Sequence, residues 1–145
     1  MTPAPIEILM IEDNEGDVFM TTEAFKEAKI ANNLSVARDG NEAMDLLHRE
    51  GKFAAAPRPD LILLDLNLPG RDGRQILSDI RSDPKLSTIP VVILTSSKAE
   101  KDIVQSYQLH ANCYIVKPVN FDALLQVVRA IESFWLTVVK LPPHL

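Results

Sequence analysis

The sequence predicts one α/β domain, a doubly wound, five-stranded parallel sheet in the order 2-1-3-4-5 with five helices over its two faces. Three observations carry that prediction. Short apolar runs of strand length alternate with stretches of helical periodicity along the whole chain. Most of those runs are apolar throughout, as in strands covered on both faces. Acidic, hydroxyl and lysine residues stand just beyond them, where ligands bind in open α/β sheets.

The first run, Ile6 to Ile11, has strand length and branched side chains and leads into Glu12-Asp13. Val18, Thr22 and Phe25 then recur at helical spacing. Asn32-Asn33 is a turn signal before the second strand, Leu34 to Ala37, and Asp39-Gly40 separates that strand from a helix carrying Met44 and Leu47. The Ala/Pro/Arg stretch from Ala54 to Pro59 connects to the third strand, Leu61 to Leu64. Pro69-Gly70 precedes a helix with Ile76, Leu77 and Ile80, and Asp83-Pro84 marks its end. Val91 to Leu94 is the fourth strand, Ile103, Val104 and Tyr107 belong to the fourth helix, and Cys113 to Val116 is the fifth strand. From Asn120, a capping residue, a last helix runs through Leu124, Val128, Ile131 and Trp135 toward Lys140, where Pro142-Pro143 stops it.

Strand and helix in alternation imply parallel strands joined by right-handed crossovers. The second strand alone alternates, with Leu34 and Val36 flanking Ser35, so it belongs at an edge. The flavodoxin-like order places it there and sets the first and third strands side by side.

Composition excludes several function classes. Hydrophobic residues make up 46% and charged residues 24% of the 145, the balance of a globular fold. No apolar run is long enough to cross a membrane. The N-terminal stretch lacks the basic start and long apolar segment of a secretory signal, so a cytoplasmic location is expected. A net charge of -5 without a Lys/Arg cluster argues against nucleic acid. Cys113 sits in an apolar run, where a thiol acts as a small hydrophobe, and His48, His110 and His144 lack ligand-like spacing. The five glycines form neither a GxGxxG nor a GxxxxGK loop, which removes the nucleotide-binding versions of this fold.

The strand ends carry the chemistry. The first strand leads to Glu12 and Asp13, the third to Asp65, the fourth to Thr95 and Ser96, the fifth to Lys117. With strands one and three adjacent, the three carboxylates converge and repel one another unless a cation sits among them. Magnesium suits such oxygens and also binds phosphoryl groups. A lysine and a hydroxyl beside it complete an inventory for phosphoryl transfer, with Asp65 as nucleophile. Each piece has a plainer reading: Thr95 and Ser96 as capping residues, Tyr114 as a core aromatic, Lys117 as a solvated charge.

Together, Glu12-Asp13-Asn14, Asp65-Leu66-Asn67-Leu68-Pro69 with Asp72-Gly73, Thr95-Ser96 and Tyr114-Ile115-Val116-Lys117-Pro118 resemble the receiver domain of two-component response regulators, over residues 5 to 133. The resemblance implies that Asp65 accepts a phosphoryl group from a phosphohistidine on a sensor histidine kinase. It implies that Asp13 binds Mg2+ directly, Glu12 largely through water, and Asn67 through its backbone carbonyl. Lys117 would pair with the phosphoryl group, Thr95 would donate to it, and Tyr114 would swing inward behind Thr95. A cis bond is implied before Pro118. Cys113 to Pro118 and the ending Phe134-Trp135-Leu136-Thr137-Val138-Val139 further resemble the stand-alone response regulators of bacterial and cyanobacterial phytochromes. His110 departs from the glycine that receivers often carry after the fourth helix. Asn67 and Ser97 would flank the phosphoryl group, and neither is a strong base.

On this reading the chain is a signalling protein rather than an enzyme, with residues 134–145 as a helix extension and tail and no output domain. The signal would leave by protein contact, for instance to a phosphotransfer protein. A phosphatase forming an aspartyl phosphate is one alternative, although Asn67 stands where its general acid is required. A constitutive pseudo-receiver is another. The last helix is apolar on more than one face, so a homodimer through Phe134, Trp135 and Val138 is expected, against a tail folded back on its own domain.

Overall fold

In the computed structural model, residues 5–27, 29, 31–68, 70, 72–95, 113–116 and 129 are described. Strand β1 spans Ile6–Ile11, helix α1 Glu15–Glu27, β2 Asn32–Ala37, α2 Gly40–His48, β3 Leu61–Asp65, α3 Gly73–Ser82, β4 Val91–Thr95 and β5 Cys113–Val116. A single 3-10 turn, Gly51–Phe53, lies between α2 and β3. The five strands are parallel in the order β2-β1-β3-β4-β5, as expected. The fourth and fifth helices expected from the sequence fall outside the described residues.

The burial follows the strand pattern. All of β3 is buried and only Glu7 of β1 is not, whereas β2, on the edge, is half-buried over most of its length. Side chains alternate between two apolar layers. Leu9, Ile11, Ala37, Ile62, Leu64 and Ile93 meet α2 and α3 through Leu47, Ile76, Leu77 and Ile80. Ile8, Met10, Leu63, Val92 and Leu94 meet α1 through Ala24 and Phe25. Each such aliphatic side chain contributes about 1.5–3 kcal/mol by leaving water.

One boundary differs from the sequence reading. Asn32 and Asn33, read as a turn, begin β2 and pair with Ile6 and Glu7. The Asn33 amide donates to Glu7 Oε1 at 2.7 Å, so a cross-strand bond offsets the weak strand preference of asparagine. Capping sets the helix starts. Asn14 Oδ1 accepts from the Asp17 N–H, Asp39 Oδ1 from Glu42 N–H and Asp72 Oδ1 from Arg74 N–H. Each cap ends the loop that leaves the carboxyl edge of the sheet, which holds that edge in place.

Candidate phosphoryl-acceptor and metal site

Carboxylate oxygens of Glu12, Asp13 and Asp65 lie within 4.8 Å of one another at the carboxyl edge of the sheet. Register brings this about. Ile11 pairs with Leu64, so the residues that follow, Glu12 and Asp65, leave neighbouring strands at one level. Since Ile11 and Leu64 both belong to the α2/α3 layer, alternation turns Glu12 and Asp65 toward the α1 side.

The three acids differ in setting. Glu12 is fully buried and Asp65 3% exposed, while Asp13 is open to solvent. Glu12 Oε2 accepts from the Asn14 N–H at 3.2 Å, and Asp65 Oδ1 accepts from the Asn67 N–H at 3.0 Å. Each buried carboxylate thereby has a backbone donor that fixes the oxygen it bonds. Three hard oxygen donors at this separation fit a divalent cation such as magnesium, which keeps several waters and takes few carboxylates. Asp13→Ala is therefore expected to weaken Mg2+ binding at least tenfold, read by titration calorimetry, because the ion loses its most open carboxylate.

Gly73, the first residue of α3, closes the floor. Its N–H faces the Leu66 carbonyl at 3.3 Å, and a Cβ there would lie 2.6 Å from both Asp65 O and Leu66 Cα. Only glycine permits α3 to start so close to the strand end that carries Asp65.

The backbone of Thr95 ends β4 one residue beyond Leu94, the partner of Asp65, and Tyr114 lies in β5 opposite Ile93. Ser96, Ser97, His110, Lys117, Pro118, Phe134, Trp135 and Val138 fall outside the described residues. Two residues of the site's surroundings were not singled out from sequence. Gly73 was part of the motif, but its role is steric and tertiary. Arg38 follows the last residue of β2 and pairs with Glu15 at the start of α1.

Comparison with known proteins agrees with this geometry. The family described as response regulator receiver domain matches residues 8–129. Response regulator Rcp1 of Synechocystis sp. is 47% identical over 138 residues, covering 95% of this chain and 94% of that protein. Among solved structures, the phosphorylated cyanobacterial phytochrome response regulator RcpA is 50% identical with a TM-score of 0.85, covering 96% of this chain and 99% of that one. The Mn2+-bound form of Rcp1 superimposes with a TM-score of 0.83 at 47% identity, over 95% of this chain and 99% of that one.

Proposed function

Given that the chain belongs to the response regulator receiver domain family, we propose that it is a phosphate-operated switch that accepts a phosphoryl group on Asp65 from a phytochrome-type sensor histidine kinase. The observation that carries this is the convergence of Glu12, Asp13 and Asp65 within 4.8 Å at the ends of two adjacent strands. A relative solved in phosphorylated form and another solved with Mn2+ support both halves of the reading, acceptance and metal.

In the transfer, an Asp65 carboxylate oxygen attacks phosphorus, the P–N bond of the phosphohistidine breaks, and the imidazole leaves with its electron pair and takes up a proton. Mg2+, when bound, would supply charge neutralisation among the acids and on the phosphoryl oxygens. By the resemblance, Asp13 and Asp65 would hold it through carboxylate oxygens, Glu12 largely through water, and Asn67 through its backbone carbonyl. Asp65 Oδ1 accepts from the Asn67 N–H at 3.0 Å, which helps to hold the carboxylate in place for the attack. The resemblance gives Lys117 the phosphoryl group as a partner and gives Thr95, Ser96 and Tyr114 the switch. Residues 5–133 would form the receiver and 134–145 a helix extension and tail, in which Phe134, Trp135 and Val138 would join two copies. The output is contact with another protein, such as a phosphotransfer protein, and turnover of phosphomonoesters is not part of the function because position 67 offers an amide rather than an acid.

Kinase recognition fits the surface of α1 next to the acids. Phe19 is 67% exposed, the one large hydrophobic side chain so exposed among the described residues, and lies about one helical turn from the start of α1. Two donors test both the function and this surface. Mg2+-dependent transfer from a phosphorylated phytochrome kinase and from acetyl phosphate is expected, and Phe19→Ala is expected to slow the first roughly tenfold or more while sparing the second. Absence of transfer from either donor would contradict the function; equal effects on both would remove Phe19 from the kinase contact.

A further inference from the structure

We propose that Arg38 is a donor-steering residue for the phosphoryl-accepting site, held in reserve by Glu15 and exchanged from that carboxylate to the incoming phosphoryl group. The proposal rests on the receiver reading and deepens it by naming a cation on the β2 side of the acids.

Register and alternation place it. Ala37 of β2 pairs with Ile11 of β1, which pairs with Leu64 of β3, and the ladder continues through the Glu12 N–H, which donates to Ala37 O at 2.9 Å. One step further, Arg38 and Glu12, each the first residue beyond its strand, stand level with Asp65, the last residue of β3. Ala37, Ile11 and Leu64 all face the α2/α3 layer, so continuing the alternation by one residue turns the next side chain the other way. Arg38 thus projects to the same side as the two buried acids, and its ion pair with Glu15, in the first turn of α1, is the direct sign of that direction. Two strand spacings, roughly 10 Å, separate its backbone from that of Asp65, and an extended arginine side chain covers most of that distance.

The pair with Glu15 is built to be exchanged. Both side chains are open, 44% for Arg38 and 77% for Glu15, where a single ion pair contributes little. A phosphoryl dianion offers the planar guanidinium a bidentate partner with more charge than a carboxylate. The acids leave net negative charge at the mouth, which repels a dianionic donor, and a cation at the rim reduces that barrier to approach.

The opposite effects on anion and cation make the test specific. Phosphorylation rates are measured with acetyl phosphate, a dianion, and with phosphoramidate, which carries less net charge, and Mg2+ alone is titrated calorimetrically. Arg38→Ala is expected to slow acetyl phosphate roughly three- to tenfold, to slow phosphoramidate less, and to flatten the salt dependence. Mg2+ binding should hold or tighten, since a nearby positive charge is gone. Arg38→Lys should recover part of the rate. Glu15→Gln should speed acetyl phosphate when Arg38 is present and give a smaller gain in the Arg38→Ala background. An unchanged rate in Arg38→Ala would overturn the proposal, as would equal slowing of both donors with weakened Mg2+ binding, which marks structural damage. A gain from Glu15→Gln of the same size in both backgrounds would overturn the exchange. Wild-type protein that accepts no phosphoryl group would overturn the receiver reading itself, and this proposal with it.

Discussion

Asp65→Asn is expected to bring phosphoryl acceptance below detection with every donor while the fold persists. The amide keeps the shape of the side chain and can keep its carbonyl oxygen as acceptor for the Asn67 N–H, the bond seen at 3.0 Å. What it loses is the nucleophile and a negative charge. Without metal, that second loss is favourable: like charges within 4.8 Å of one another interact unfavourably by roughly a few kcal/mol at the effective dielectric of partly buried sites, much of it relieved by water and counter-ions. A net gain of about 1–2 kcal/mol in metal-free stability is the expected remainder. With Mg2+ the sign reverses, since the ion loses a ligand and stabilises the folded state less. Denaturant unfolding with and without Mg2+ reads both arms. A variant that accepts phosphate as wild type does, or that gains as much stability from Mg2+, would contradict the assignment.

Gly73→Ala is expected to damage stability and site together. The added methyl group would meet Asp65 O and Leu66 Cα at 2.6 Å, and neither backbone atom can turn aside as a side chain would. Overpacking of this kind costs about 1–3 kcal/mol. Alanine's better helix propensity returns less than about 1 kcal/mol of that. Relief requires α3 to move off the strand end or Asp65–Leu66 to shift, and the second loosens the acid cluster. Lower stability, weaker Mg2+ binding and slower phosphorylation well below the unfolding transition are therefore expected in one variant. Gly70→Ala is the contrast. At φ +72 it strains the backbone but meets nothing within 4 Å, so stability should fall with little effect on Mg2+. Gly73→Ala with wild-type Mg2+ affinity would show that α3 does not set the position of Asp65.

Much of the fold was legible in the sequence because a parallel sheet covered on both faces leaves a simple pattern. Ile6–Ile11, Leu61–Leu64 and Val91–Leu94 read as strands from length and branching alone, and the alternation at Leu34-Ser35-Val36 gave β2 its edge position. The start of β2 was missed because Asn32-Asn33 has turn chemistry, and the Glu7 carboxylate that holds Asn33 lies on another strand. The same limit governs the site. The convergence of Glu12, Asp13 and Asp65 was legible because strand order alone brings them together. The tight approach of Gly73 to Leu66 and the direction of Arg38 depend on register and alternation across three strands, which no single stretch of sequence displays.

The central claim is that Asp65, among the convergent acids, becomes an acyl phosphate in the presence of Mg2+. Incubation with acetyl phosphate, followed by borohydride reduction and peptide mass mapping, tests it most directly, because reduction converts an aspartyl phosphate to homoserine at the residue that carried it. The account predicts homoserine at position 65, dependent on Mg2+ and absent from Asp65→Asn. Homoserine at another aspartate, or none under conditions that leave the protein folded and Mg2+-bound, would contradict it.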